Sequence, residues 1–598
     1  MNVTRTFDLL TRYADKFPDK ADALAGKVNG KWIKYSSSDY IENSNLVSYG
    51  LMSLGVKKGD TIVTISNNRP EWNFLDMGMA QIGAIHVPLF TTLDQGGFER
   101  ILKHAEAKYV FLSDKSLYSK IQPLLEKVKS IKTIYTINDI DGLSNWKDVL
   151  ELGKQTVDKY KAELETIKQS ISPRDCVSII YTSGTTGNSK GVMLAHENLV
   201  SNAIAVSKVF KLKPEHRYLS ILPVCHVGER MAVYQTQYSG CSLYYGENLA
   251  TIASDLLEIK PHGFGAVPRV LEKVYDKIIA KGAMLTGLKR KLFFWALNLG
   301  HNYKTDGENG IWYEFQLKIA RKLIFSKWQE AMGGNIVSIG IGGAALQPRL
   351  ERVFWGAGIK LLNMYGLTET SPVITINRDH LPDLKLGTVG AVIDGVQIKI
   401  AADGEILCKG PNVMLGYYKD EEATLKAIDN EGWFHTGDIG LLEDGRFLKI
   451  TDRKKEIFKL SNGKYVSPLA VENIFKESIF VDQIMVIGEG EKFTSALISP
   501  NMEALYKWWR DNDLPKLGKT EMVEHEAVQK KFKSIAREFN KHLSKDEQVK
   551  RQRVVADEWT PDSGELSPTL KLKRKVVFAK YKPVIEDIYH HNEEITSA

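Results

Sequence analysis

Residues Cys176–Leu194 read CVSIIYTSGTTGNSKGVML. The run from Cys176 to Thr182 is almost continuously apolar and predicts a strand buried on both faces. Directly after it, Gly184, Gly187 and Gly191 alternate with the hydroxyls of Thr182, Ser183, Thr185 and Thr186. Glycines let backbone N–H groups approach phosphate oxygens closely, and hydroxyls add further donors. Lys190 supplies a positive charge. A loop of this kind, set on a buried strand, predicts a clamp for a polyphosphate. It is not a Walker A loop, because the glycines have the wrong spacing and Lys190 precedes a glycine. The same composition also makes an ordinary surface turn. The density of donors, the lysine and the buried strand before them favour phosphate. HENLVSNAIAVSKVF, which follows at 196–210, has helical spacing.

Upstream of this loop, helical and strand patterns alternate. Thr61–Ser66 (TIVTIS), Ala84–Leu89 (AIHVPL) and Tyr109–Leu112 (YVFL) read as strands, and Trp72–Gly83 as a helix. That alternation predicts an α/β core with a largely parallel sheet. Between Lys281 and Gly333 long helical patterns rich in aromatics and bases appear. From Val389 to Lys449 the pattern turns β-like, with hairpin signals at Asp403-Gly404 and Asp444-Gly445, and predicts a smaller antiparallel subdomain. The charge run Thr451–Glu456 (TDRKKE) precedes a tail with its own short strands and helices, which predicts a separate α+β domain.

The chain has 598 residues, enough for several domains, with 43% apolar and 26% charged residues. A net charge of +7 from 80 basic and 73 acidic residues suits anionic small substrates or a lipid headgroup surface, and nucleic acid is not expected as a partner. Four well-separated cysteines give neither a disulfide framework nor a zinc spacing. A reducing, cytoplasmic location is therefore expected, with the inner face of a membrane left open as a place of docking. The opening MNVTRTFDLLTRYADKFPDK has no leader-like apolar core, and no apolar stretch approaches ~18 residues. The residues leave the oligomeric state open.

Ile336–Ala345 (IVSIGIGGAA) imitates a dinucleotide fingerprint, but the acidic residue expected ~20 positions later is absent, which rejects a nicotinamide or flavin site. The motif set instead resembles the adenylate-forming, AMP-binding superfamily. YTSGTTGNSKG, GGAAL, MYGLTET, GWFHTGD, DRKKEIFKLSNGK and GELSPTLKLKRK occur in that family's order, and LPVCHVGERM and VPRVLEKV are similar to its long-chain fatty acyl-CoA synthetase branch. The resemblance implies an α/β protein. Residues 1–452 would form a large domain for AMP and acyl binding, with two α/β sheets plus a small antiparallel β subdomain. Residues 453–598 would form a small mobile α+β domain carrying the catalytic lysine. It implies ATP, Mg²⁺, coenzyme A and a fatty acid as the participants, and a reaction in two steps through an acyl-adenylate.

Carried over residue by residue, the resemblance assigns the 182–187 hydroxyls and glycines and Lys190 to the phosphates. Gly343, Ala344, Ala345 and Tyr365 go to the adenine, with Asn363 and Gly366 among the nucleotide contacts. Thr368 goes to the α-phosphate and Glu369 to Mg²⁺, a hard cation that prefers carboxylate oxygens. Asp438 goes to the ribose hydroxyls, Arg453 to ribose or phosphate, and Lys455 to the hinge. Ser461 and Gly463, in the SNGK turn, go to coenzyme A. Lys571 is the adenylation lysine, an ammonium that relieves repulsion between two anionic reactants. The family's usual glycine before it is Leu570 here, which keeps Lys573 and Lys575 as neighbouring candidates. His226 would position the acid rather than act as a base. Taken singly, most of these are ordinary surface or turn residues.

A long-chain acid rests on branch resemblance alone. The mixture of bases and aromatics in Lys289–Trp328 could lie on a bilayer surface or simply pack on the domain. A ligase for another carboxylic acid, transfer to an acyl carrier protein, and a catalytically silent nucleotide-binding or membrane scaffold are the competing readings.

Overall fold

The computed structural model describes residues 2–182, 189–248, 251–567 and 570–590. The apolar runs read above become the interior of two large sheets. A seven-stranded sheet is ordered Gly416–Tyr417, Lys190–Ala195, Cys176–Thr182, Ile85–Leu89, Thr61–Ile65, Tyr109–Leu112, Thr133–Thr136. Its last five strands pair parallel, and the first two join antiparallel. Val63, Val87, Val110 and Ile179 sit in its core beneath Phe98, Ile101 and Leu102 of the helix Gln95–His104. That helix starts where the Asp94 carboxylate accepts from the Gly97 amide, which satisfies one of the unpaired N–H groups of its first turn.

A nine-stranded sheet is ordered Ala391–Val392, Val373–Ile376, Leu361–Gly366, Ser338–Ile341, Gly263–Ala266, Arg217–Ser220, Ser242–Tyr245, Leu24–Val28, Lys31–Tyr35. Its centre is parallel and both edges are antiparallel. The dinucleotide look-alike lies here. A side chain at Gly340 would strike Phe210 and Met364, and one at Gly342 would strike Met364, so these glycines serve close packing. A four-stranded sheet is ordered Gln397–Ile400, Glu405–Lys409, Phe434–Glu443, Phe447–Arg453, with the last pair antiparallel.

The chain divides into two compact units. The first comprises Met1–Gly342, Glu351–Lys399 and Leu407–His435, and the second Gly343–Leu350, Ile400–Ile406 and Thr436–Ala598. Both large sheets belong to the first. The second holds the three-stranded sheet Val481–Ile487, Ser495–Pro500, Arg551–Val554 and the hairpin Phe458–Lys459 with Tyr465–Val466. One face of the three-stranded sheet presents Ile484, Val486, Ala496 and Ile498 to Phe475, Phe532 and Ile535. The other presents Met485, Ile487 and Leu497 to Trp559, Val577, Tyr581 and Ile588. Period-two alternation along strands covered on both sides produces this double core. Among the described residues no helix is long and apolar enough to cross a membrane.

Candidate active site

In the first unit, the loop read from the sequence as a polyphosphate clamp is flanked by an antiparallel pair in which Thr182 is the partner of Lys190. Ser183, Gly184, Thr185, Thr186 and Gly187 lie outside the described residues. Lys190 begins the strand Lys190–Ala195, whose other edge pairs with Gly416–Tyr417. That pairing sets the Lys190 ammonium 4.3 Å from the Tyr417 ring centroid. The Tyr417 hydroxyl donates to Glu369 Oε1 at 3.0 Å. Burial and then the Glu369 charge push the Tyr417 phenol above its ordinary range, so it stays a donor. The loop lysine and the glutamate are thus joined through one aromatic ring.

Glu369 lies in the short 3₁₀ turn Thr368–Thr370 that follows the strand Leu361–Gly366. Gly366 is obligatory there, because a Cβ would overlap the Pro372 carbonyl. The turn is held from the side, where Met414 N–H donates to Glu369 O at 2.9 Å and the Asn412 amide donates to Thr370 O at 3.1 Å. Tyr365 is buried, and Asn363 donates to Thr388 O at 3.0 Å, so its amide also holds the 385–390 loop. Among the described residues no three His, Cys, Asp or Glu side chains cluster as a metal cage. A single carboxylate beside an ammonium fits Mg²⁺ carried in on phosphate oxygens, the usual way that ion is held.

His226 caps the helix Val227–Ser239, its Nδ1 accepting from the Gly228 amide at 3.1 Å. Its neighbour Cys225 is buried, which pushes the thiol well up and leaves it inert. One turn on, the same helix enters a buried polar network. Arg230 donates to Asp76 Oδ1 and Ser178 Oγ, both at 2.5 Å. Asp76 also meets His86 Nδ1 at 2.7 Å and accepts from Tyr234 at 2.6 Å. Burial alone would raise the Asp76 pKa, but the Arg230 guanidinium and its hydrogen bonds hold it down to about 2. Through Ser178 this network ties the His226 helix to the strand Cys176–Thr182.

In the second unit, Gly343, Ala344 and Ala345 form an exposed turn. Asp438 and Arg453 face each other across the paired strands Phe434–Glu443 and Phe447–Arg453, 3.2 Å apart. Asp438 is buried and Arg453 half exposed. Lys455 lies in the turn after Arg453, where Glu456 and Ile457 N–H groups both donate to Arg453 O. Ser461 and Gly463 form the tip of the hairpin that follows, with Gly463 at φ +85°.

Lys571 is bonded back to Ser567. Its N–H donates to Ser567 Oγ at 3.0 Å, and its carbonyl accepts from Ser567 N–H at 2.8 Å. Leu570, where the resemblance expects glycine, has φ +60°, the left-handed conformation that glycine adopts without strain. Its side chain packs on the Trp559–Val577–Tyr581 cluster, which offsets a backbone cost of about 1–2 kcal/mol. Lys573 precedes the helix Arg574–Lys580 and Lys575 lies in its first turn. Arg574 donates to Glu456 at 3.0 Å and to Glu472 at 2.6 Å, tying the segment after Lys571 to the residue after Lys455.

This architecture has known counterparts. A family model described as "AMP-binding enzyme" matches residues 10–418, and one described as "AMP-binding enzyme C-terminal domain" matches residues 455–593. The chain belongs to the AMP-binding enzyme family. It is 31% identical to the long-chain-fatty-acid–CoA ligase FadD15 of Mycobacterium bovis, over 94% of this chain and 93% of that one. It is 30% identical to the long-chain-fatty-acid–CoA ligase ACSBG2 of Xenopus laevis, over 95% and 81%. Among solved structures, the A-PCP didomain of a carboxylic acid reductase from Segniliparus rugosus in complex with AMP superposes with TM-score 0.74 at 21% identity, covering 99% of this chain and 82% of that one. The anthranilate CoA ligase AuaEII in complex with anthranoyl-AMP gives 0.72 at 17%, covering 97% and 98%. The fold of an AMP-binding enzyme, α/β with a large N-terminal and a smaller C-terminal domain, is therefore the fold of this chain.

Set beside the family motifs, four structural partners carry no motif signal of their own. Tyr417 sits in LGYYKD, which reads as a turn. Asn412 holds the Glu369 turn from a stretch without periodicity. Arg230 and Asp76 read as surface charges, although each lies in a mostly uncharged helical run, where a charge calls for a buried partner.

Proposed function

We propose that this AMP-binding enzyme is an AMP-forming acid–thiol ligase that joins a long-chain fatty acid to coenzyme A. The carboxylate attacks the α-phosphate of ATP, giving acyl-AMP and releasing pyrophosphate. The coenzyme A thiol then attacks the acyl carbonyl, AMP leaves, and the thioester forms. The observation that carries this reading is the Lys190–Tyr417–Glu369 linkage. A cation for the polyphosphate and a carboxylate for Mg²⁺ are held at fixed separation by one ring. Relatives that span nearly the whole chain and are named for that activity support the choice of acid.

In this reading Glu369 holds Mg²⁺, which neutralises phosphate charge when bound. Thr182 and Lys190, with Ser183–Gly187, receive the β- and γ-phosphates, and Thr368 the α-phosphate. Tyr365, Asn363, Gly366 and Gly343–Ala345 receive the adenosine, and Asp438 and Arg453 the ribose. A carboxylate has two acceptor oxygens for a cis-diol, and Arg453 pairs with Asp438 at 3.2 Å. Lys571 stabilises the charge gathered at the α-phosphorus, and His226 orients the acid. The boundary falls at 452/453, with Lys455 as the hinge that lets residues 453–598 present first Lys571 and then Ser461 and Gly463, the latter to coenzyme A. The enzyme works in the cytoplasm, in peripheral contact with a membrane that supplies the acid.

The test is acid-dependent ATP–pyrophosphate exchange over a panel of short to very long fatty acids, followed by product analysis with free coenzyme A. Exchange that rises with chain length and yields acyl-CoA is the expected result. Tyr417→Phe lowers exchange about 10–100-fold, the worth of one hydrogen bond to a charged group. No exchange with any acid would sink the proposal.

A further inference from the structure

The segment that separates the strands Gly263–Ala266 and Ser338–Ile341 folds into helices Pro268–Ala283, Gly287–His301 and Ile311–Ala320, a π turn Arg321–Phe325 and a helix Ser326–Ala331. Its inner side is conventional core. Leu317, Ala320, Phe325 and Trp328 are buried, Trp328 meets Phe354 edge-on, and Arg321 donates to the Gly356 and Trp355 carbonyls. Its outer side is not a conventional surface. Ile311 is 91% exposed, Trp312 70%, Phe315 53% and Leu323 53%, with Ile319 also exposed. Their spacing sets all five along one side of the helical stretch, over about 18 Å at 1.5 Å per residue. Trp312 and Phe315 stack on each other, with centroids 5.6 Å apart, rather than on the core. The neighbouring helix adds exposed Leu288 and Phe294 and is joined to this one where Trp295 donates to Gln316. Exposed apolar residues are ordinary when scattered, but a contiguous set is not.

The charges on this segment point to its partner. Residues 281–327 carry nine Lys and Arg against three Asp and Glu, a net of +6, while the whole chain has +7. Lys318 and Lys322 lie on the outward side among the apolar residues, and Lys289, Arg290 and Lys291 are exposed on the adjoining helix. Of the acidic residues, Glu308 lies 3.8 Å from Lys304 and Glu314 is half buried. Aromatic and aliphatic side chains that can enter the acyl boundary, interleaved with lysines at headgroup height, match an anionic bilayer surface. A second copy of the chain would set +6 against +6.

We infer that this face, led by Ile311, Trp312, Phe315, Ile319 and Leu323 with Lys318 and Lys322, docks the protein on an anionic phospholipid bilayer. The inference deepens the proposed function, because it names the surface from which a membrane-dissolved acid is collected, but docking itself requires no catalysis.

The experiment is flotation of the full-length chain with vesicles of phosphatidylcholine alone, or with phosphatidylglycerol added. The wild-type chain floats with the anionic vesicles. Trp312→Ser with Phe315→Ser lowers the bound-to-free ratio at least about tenfold, the loss expected on withdrawing two aromatic side chains from an apolar phase. Lys318→Glu with Lys322→Glu abolishes the preference for phosphatidylglycerol. Both variants keep the wild-type melting profile and, with a water-soluble acid, the wild-type ATP–pyrophosphate exchange. Failure of the wild-type chain to float on anionic vesicles, or equal flotation of the apolar variant, overturns the proposal. So does a wild-type dimer that the apolar variant converts to monomer, since a second copy would then own the face. Absence of exchange in the wild-type chain, with docking intact, would instead count against the ligase reading alone.

Discussion

The two lysines that the proposed function assigns to one triphosphate are built into the protein in opposite ways. Lys190 stands on a strand inside a seven-stranded sheet, with Tyr417 beneath its ammonium and the Asp76–Arg230 network behind the strand next to it. Lys571 donates its N–H to Ser567 after a left-handed Leu570, and the ties of the segment that follows run through Arg574 to Glu456, next to Lys455. The first is fixed by the architecture of a large unit. The second is held by residues of its own small unit. The two-step reaction proposed above calls for such a division, because one set of groups would hold the nucleotide while another comes and goes.

The comparison breaks most visibly at Arg230. Arg230→Ala leaves the Asp76 carboxylate buried without its cation and costs about 3–5 kcal/mol of stability, read as a drop in the urea midpoint. If stability hardly changes, the rigid half is not rigid for the reason given. Lys571→Ala is expected to cut adenylate formation about 10²–10³-fold with little change in melting, yet to leave thioester formation from supplied acyl-AMP nearly intact. Equal losses in both half-reactions would refute a role confined to the first.

A third test sharpens the rigid side through pH. Glu229, next to Arg230, is buried, and burial raises its carboxyl from 4.5 to about 8. A raised folded pKa means the native state holds the proton more tightly than the unfolded chain. The resulting stability is complete below pH 4.5 and is lost as the pH rises towards 8. Glu229→Gln, always neutral, should remove a decline of roughly 3 kcal/mol between pH 5 and 8.5. Urea melts across that range measure it, and an undiminished slope in the variant would show that other groups carry the decline.

The smallest effect tests the movable side. Leu570→Gly removes left-handed strain but also removes packing on Tyr581 and Val577, so stability shifts by about 1 kcal/mol or less. Leu570→Ala keeps the strain and loses the packing, so it should melt below the glycine variant. The reverse order would show that packing, not backbone conformation, decides that position.

The elements that were legible in the sequence are those with a simple period. TIVTIS, YVFL and CVSIIYT are continuous apolar runs and became central strands, and HENLVSNAIAVSKVF became the helix His196–Phe210. The strand Lys190–Ala195 was hidden by the glycine-rich loop that runs into it, since turn composition masks a short strand that begins with a lysine. The motif residues could be named one at a time, but their partners could not. Tyr417 reaches Glu369 across 48 positions and Arg230 reaches Asp76 across 154. No local pattern encodes a contact made by sheet order. Leu570 shows a different limit: its residue type disfavours a left-handed backbone, and the packing of its side chain on the Trp559–Val577–Tyr581 cluster overrules that preference.

The cap of one helix carries a last consequence. Because Nδ1 of His226 is occupied in accepting from Gly228, the imidazole proton resides on Nε2. In that tautomer Nε2 is a donor, so the ring suits an oxygen that brings a lone pair rather than a group that brings a hydrogen of its own. The start of a helix thus decides which sense of hydrogen bonding the histidine keeps for its second nitrogen.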